Sequence, residues 1–349
     1  MSVPRSDILP ADRFRIVASI AADLDSFAAE HYGLELEPLA DSVGLSCDDF
    51  QSNEKQVSLD RMCRLFELLA IATGDEDFGV RYGEAITFGS TGFFGYGQKS
   101  APTLRQLLSF NASFMPLVCD ISYLSLEIDS SLCWYHWSFH PMIISKTQFS
   151  LSTSAMLVRL IRENFDANWS PNEVRFDFPR PKNARAINRL ICPNLIFEEP
   201  TSTIIMSTHS LDLKNRNGDA RLHELIYQNC KEQLADKRVS KTILDAVIDE
   251  ISDSISDPQL SLSRTARRIG MSERSLQRYL SNQEQSFSEL VDQRRKELSD
   301  TLLRDPNIPL NKIAERLGFS SNSAYTRTAR RWYGVPPTEA RRNFNRSSK

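Results

Sequence analysis

The chain has 349 residues, 41% hydrophobic and 25% charged, which is material for two hydrophobic cores and excludes a disordered or fibrous protein. No apolar run reaches the ~18 residues that a membrane helix needs, and MSVPRSDILPADRF has no basic-then-apolar leader, so no membrane contact and a cytoplasmic location are expected. The formal charge of −3 hides an asymmetry: residues 258–349 hold 18 Lys and Arg against 9 Asp and Glu, net +9, while the residues before them are net −12, as expected of a binding module carried on a regulatory body.

In chain order, FRIVASIAADLDSFAAEHYG and LDRMCRLFELLAIATGD carry apolar residues at three and four spacing and end in Gly, which predicts two helices within the first ~90 residues. Between them LEPLADSVGLSCDDF predicts two short helices. It has almost no basic residues and is read as core packing. FGSTGFFGYGQK lacks the Gly-Lys-Ser/Thr and the strand-to-helix context of a nucleotide loop, and is read as turns that permit close packing.

From 86 to 210, ISYLSLEID, CWYHWSFH, EVRFDFP and LIFEEPTSTIIMS predict strands, with helices at PTLRQLLSFNASFMPLV, SLSTSAMLVRLIRENF and NARAINRLI. This middle is α+β. His136 and His140 share a strand face in that pattern without a carboxylate beside them, and Cys47, Cys63, Cys119, Cys133, Cys192 and Cys230 form no C-x-x-C pair. Neither a metal, a disulfide framework nor a cofactor is implied. Tyr96, Trp134 and Trp137 are the candidates to line an effector pocket, with plain core packing as the equal alternative.

LHELIYQNCKEQLA places Leu222, Leu225, Ile226, Cys230 and Leu234 on one stripe, suited to pairing two subunits or to packing within one. A helix then runs from Ile243 through Leu244, Val247, Ile248 and Ile251 to Ile255 and stops before Asp257-Pro258.

The tail contains a repeat. Ala-x-x-x-Gly-apolar-Ser occurs at Ala266, Gly270 and Ser272, and again 48 residues later at Ala314, Gly318 and Ser320. Each copy has the marks of a helix-turn-helix: a small residue where two helices cross, a glycine at the turn, a serine cap. The second helices would expose Glu273, Arg274, Gln277 and Arg278, then Asn322, Ser323, Thr326 and Arg327, with Ser320 as the second cap. Such side chains can address base edges in a major groove. Between the copies, SFSELVDQRRKELSDTLLRD predicts a helix of about 20 residues, or ~30 Å, near the ~34 Å of one DNA turn.

These residues resemble the AraC/XylS family of bacterial transcription regulators over about 240–345. The resemblance rests on A-x-x-x-G-M-S-x-x-S-L-Q-R at 266–278, I-A-x-x-L-G-F-S at 313–320 and R-x-x-R-R-W-Y-G-V-P-P at 327–337. It implies base-contacting positions at Arg274, Gln277 and Arg278 and at Asn322, Ser323, Thr326 and Arg327, with Ser272, Glu273, Ser320 and Ser321 beside them. Where the family usually has an aromatic residue, this chain has Ala329, which implies a smaller core beneath the second motif unless Tyr325, Trp332 and Tyr333 fill it. LEPLADSVGL, FGYGQKSAPTLRQLLSFNASF, VRFDFPRP and NLIFEEPTSTIIMS look like the ligand-sensing domain of the subgroup that includes ornithine-utilisation regulators.

The resulting expectation is an α+β effector domain over 1–237, followed by an all-α domain over 238–349 with two helix-turn-helix motifs joined by a long helix. It would be a DNA-binding regulator controlled by a small-molecule effector. Double-stranded DNA, RNA polymerase and a second copy of the chain are its expected partners. The alternative is a non-enzymatic adaptor acting through the acidic body. No Gly-x-Ser-x-Gly, His-Glu-x-x-His or phosphate loop suggests an enzyme.

Overall fold

The computed structural model describes residues 10–346 apart from 88, 90, 241 and 307. The chain divides into two bodies, one of residues 12–139 with 145–236 and one centred on residues 237–349.

The first body is mixed α and β. β1 (Arg15–Val17) pairs antiparallel with β2 (Gln56–Ser58), and a 3-10 turn at Ala18–Ala21 leads to α1 (Leu24–Tyr32). The single helix expected over FRIVASIAADLD is therefore corrected to strand, turn and helix. The Arg15 amide donates to Asp120, 105 residues away, and the Val17 amide to the Val118 carbonyl. These partners hold the backbone extended against its local helical pattern.

α2 (Glu37–Ser42) follows, then α3 (Leu59–Thr73), capped by Ser58 and ended by Gly74 at φ 66°. α4 (Phe78–Gly83), α5 (Phe93–Ser100) and α6 (Leu104–Phe114) complete this run. Because α5 spans most of FGSTGFFGYGQK, the expectation of turns there is corrected, although close packing is present. A β-carbon on Gly97 would lie 2.3 Å from the Phe110 ring, so only glycine lets α5 rest on α6.

Five strands form the second sheet: β3 (Tyr123–Ile128), β4 (Leu132–Ser138), β5 (Glu173–Arg175), β6 (Leu195–Ile196) and β7 (Ser202–Ser207), in the order β3-β4-β7-β5-β6. All neighbours are antiparallel except β5 and β6. The run LIFEEPTSTIIMS thus supplies two strands rather than one. α7 (Thr147–Asn164) brings Phe149 against Phe66 and Phe139, with ring centroids 5.3 and 6.0 Å apart. α8 (Arg185–Leu190) follows β5.

β4 alternates, burying Cys133, Tyr135 and Trp137 and leaving Trp134 and His136 half-buried on its other face. His140 lies beyond the strand, so the expected shared face with His136 is corrected. His136 Nδ1 instead lies 2.9 Å from the Thr203 hydroxyl.

α9 (Ala220–Ser240) does not bury its apolar stripe evenly. Ile226 and Cys230 are buried, whereas Leu222 and Leu225 are exposed.

The second body is helical: α10 (Ile243–Asp253), α11 (Leu262–Arg268), α12 (Glu273–Asn282), α13 (Phe287–Arg304), α14 (Leu310–Arg316), α15 (Asn322–Tyr333) and α16 (Pro337–Arg346). α10 and α13 begin with reciprocal capping boxes, Thr242 with Asp245 and Ser286 with Glu289. At 18 residues, α13 is about 27 Å long. Among the described residues no helix is long and apolar enough to cross a membrane.

Candidate nucleic-acid interface and ligand cavity

The repeated spacing is a repeat of turn chemistry. After α11 the backbone reverses at Gly270, φ 75°; its amide donates to Arg267 at 3.2 Å, and the Met271 amide donates to the Ala266 carbonyl at 2.8 Å. After α14, Gly318 has φ 68°. Its amide donates to Glu315 at 2.9 Å, and the Phe319 amide to Ala314 at 3.0 Å. A left-handed glycine just past a helix lets trailing amides close on the last carbonyls. Gly318 is the more constrained, since a β-carbon there would lie 2.4 Å from the Ile255 carbonyl oxygen. Ala266 and Ala314 are both buried.

Beyond the turn the repeat slips by one residue. Ser272 caps α12 by accepting from the Ser275 amide, but α15 is capped by Ser321, which accepts from Ala324. The expected cap, Ser320, stays in the turn. The caps are 49 residues apart (321 − 272) where the glycines are 48 apart (318 − 270). The outward positions therefore correspond as Arg274 with Ser323, Gln277 with Thr326, and Arg278 with Arg327. The buried positions correspond as Leu276 with Tyr325 and Leu280 with Ala329.

Ser272, Glu273, Arg274, Gln277 and Arg278 are exposed along the first helix, and Ser320, Ser321, Asn322, Ser323 and Arg327 are exposed at the second. Thr326 is half-buried and its hydroxyl donates back to the Asn322 carbonyl at 2.8 Å.

The arginines separate into two kinds. Arg264 pairs with Asp257, Arg268 with Glu250, Arg294 with Glu297, and Arg331 with Asp292. Arg274, Arg278 and Arg327 have no such partner among the described residues. Their guanidinium groups remain available for an external acceptor.

Aromatic residues gather around the second motif, where Ala329 is buried. Tyr325 is fully buried, its hydroxyl 2.8 Å from that of Ser299 on α13. Phe319 lies 5.7 Å from Tyr325 and 6.1 Å from Trp332, ring to ring, and the Trp332 indole donates to Asp292 at 3.0 Å. The Arg295 guanidinium lies over Phe319 at 5.0 Å. α15 is therefore clasped to α13 through Asp292 and Ser299, and Arg295 holds the turn that leads into it.

The first body holds a cavity of about 110 Å³ beneath the sheet. β4 contributes Tyr135 and Trp137, α5 contributes Phe94 and Gln98, α6 contributes Asn111, and α7 contributes Thr153 and Leu157. Of the sequence candidates, Trp137 is in the wall. Trp134 is on the other face of β4, and Tyr96 is 56% exposed on α5, outside the wall. Strand alternation is the signal that selects Tyr135 as the partner of Trp137, because residues three apart cannot share a strand face.

Burial raises the Tyr135 phenol above its ordinary pKa, so it is a neutral donor. No three His, Cys, Asp or Glu side chains gather as a metal site among the described residues.

Residues 33–215 match the family described as the arabinose-binding domain of AraC transcription regulator, N-terminal, and residues 265–343 match a helix-turn-helix domain. The ornithine utilization regulator of Pseudomonas aeruginosa is 24% identical over 327 residues, covering 93% of this chain and 95% of that one. The HTH-type transcriptional regulator VqsM of the same organism is 36% identical over 89 residues, covering 26% of this chain and 27% of that one. The crystal structure of the transcriptional regulator CdpR from Pseudomonas aeruginosa aligns with a TM-score of 0.39 at 17% identity, covering 80% of this chain and 90% of that chain. Since the N-terminal match spans more than half of the chain and the second falls on the repeated motif, the chain belongs to the AraC family of transcription regulators.

Proposed function

We propose that this chain is a sequence-specific regulator that reads duplex DNA with the exposed faces of α12 and α15, under the control of a small molecule held in the cavity of the first body. It carries no catalytic role in this reading. The observation that carries it is the pair of motifs with identical turn chemistry, each presenting an arginine at the same position without an acceptor among the described residues. Arginine reads guanine edges bidentately, and glutamine reads adenine. The net +9 tail supports the phosphate attraction that such readout requires.

The family name and one relative point to a sugar and to a diamino acid, but the wall of this cavity is largely apolar, which supports neither ligand. The exposed Leu222 and Leu225 on α9 support pairing of two copies, and RNA polymerase is the partner expected of a regulator bound at a promoter.

The test is site selection from random duplexes with the full chain, followed by footprinting. A preferred sequence protected over two successive major grooves on one DNA face is expected. Arg278→Ala should relax preference at one base pair, at a cost of roughly 1–3 kcal/mol. A chain that enriches no sequence above bulk DNA would defeat the reading and favour the protein adaptor.

A further inference from the structure

Three polar side chains meet in the wall of the cavity. Gln98 Nε2 donates to Asn111 Oδ1 at 3.0 Å, and Tyr135 stands in the same wall. The Tyr135 hydroxyl gives its proton to no acceptor among the described residues, so its O–H is left for a molecule in the cavity. All three residues are buried, at 7%, 2% and 4% exposure, and all three line the cavity.

The rest of the wall is almost wholly hydrocarbon, aromatic or hydroxyl, and no Asp, Glu, Lys, Arg or His is among the described lining residues. A formal charge placed there would be desolvated without a partner, which proteins avoid. Of the wall's hydroxyls, those of Thr153 and Ser154 already donate to backbone carbonyls, so the several oxygens of a polyhydroxylated ligand would find few free donors. A cavity of about 150 Å³ takes a benzene ring, so one of about 110 Å³ takes about four to six non-hydrogen atoms.

We infer that the cavity selects an uncharged, mainly apolar molecule carrying one oxygen acceptor, an ester, ketone or ether, whose oxygen accepts from Tyr135 while its hydrocarbon part lies against Trp137 and Leu157. This inference rests on the effector reading above. Tyr135 is then the specificity-determining residue.

Calorimetric titration of the full chain with small probes tests it. Methyl propanoate and butanoate have the same number of non-hydrogen atoms and differ in charge, butylammonium carries the opposite charge, and pentane lacks the acceptor. At about pH 8, methyl propanoate should bind about tenfold or more tighter than either ion. A pentose and a diamino acid should not bind. Tyr135→Phe keeps the ring and removes the donor, so it should bring the ester down toward pentane.

Butanoate binding as tightly as the ester at that pH overturns the charge selection and leaves the effector reading standing. An unchanged ester-to-pentane ratio in a folded Tyr135→Phe overturns the role of the phenol. The wild-type series decides the charge question even if that variant does not fold. If no probe binds, pentane included, the effector reading itself falls together with the inference.

Discussion

Arginine is the residue on which this molecule makes its sharpest internal distinction. Arg268 reaches Glu250 at 2.7 Å and is held as part of the scaffold, whereas Arg278, ten residues on, points at no carboxylate among the described residues. Exposed ion pairs such as the first stabilise by about 0–1 kcal/mol, so the contrast concerns availability more than stability. His223 shows the opposite treatment of a titratable group. It is buried on α9, and its Nδ1 donates to the Gly97 carbonyl of α5 at 2.9 Å. Its ring centroid lies 5.4 Å from that of Phe110, and Glu224 is the charged neighbour. Burial, the largest influence, holds its pKa below the ordinary value. A base with a depressed folded pKa binds fewer protons folded than unfolded, so its contribution is complete above about pH 6.5 and is lost as the pH falls below that. The melting temperature of the wild type should therefore drop more steeply between about pH 7 and pH 5 than that of His223→Gln, which keeps a donor without titrating. Parallel curves for the two proteins would remove His223 as the cause.

At the scale of elements, α13 does more than separate two motifs, because its Asp292 and Ser299 hold α15 and its Arg295 holds the turn that leads into α15. Inserting two alanines between Leu290 and Val291, ahead of all three, would add ~3 Å and rotate everything after the insertion by ~200°. Affinity for a selected site should fall to that of a single motif while circular dichroism keeps its helical signal. An unchanged footprint would mean that the motifs do not act as a spaced pair. The helices of this body were legible because each reports itself locally: Ser261, Ser272, Ser286 and Ser321 cap, and Gly270, Gly318 and Gly334 terminate. The cap at Ser321 was misplaced by one because two adjacent serines offer the same chemistry, and only the three-dimensional turn chooses between them. In the first body β1 was hidden, since its partners β2 and Asp120 are far along the chain. The cavity was hidden for the same reason: Gln98, Asn111 and Tyr135 are ordinary residues until α5, α6 and β4 bring them together.

For the whole molecule, the proposed control by an effector requires that occupancy of the cavity and occupancy of DNA bias one another. Such coupling is reciprocal, so a ligand that changes DNA affinity by some factor must have its own affinity changed by that factor when DNA is bound. Measuring both with the ester that fits the cavity should give the same ratio, on the order of 5–150-fold. A ligand that binds while leaving DNA affinity untouched would make the cavity a structural store rather than a control. The one-residue slip between the repeats bears on something else at this scale: direction. In the proposed reading the first face offers Arg274, Gln277 and Arg278 where the second offers Ser323, Thr326 and Arg327, so the two heads would ask for different bases although they are built alike. A site read in this way has a front and a back. Turned end for end, the same base pairs present each head with the other's sequence, and so one polypeptide can point along a promoter without a partner to break its symmetry.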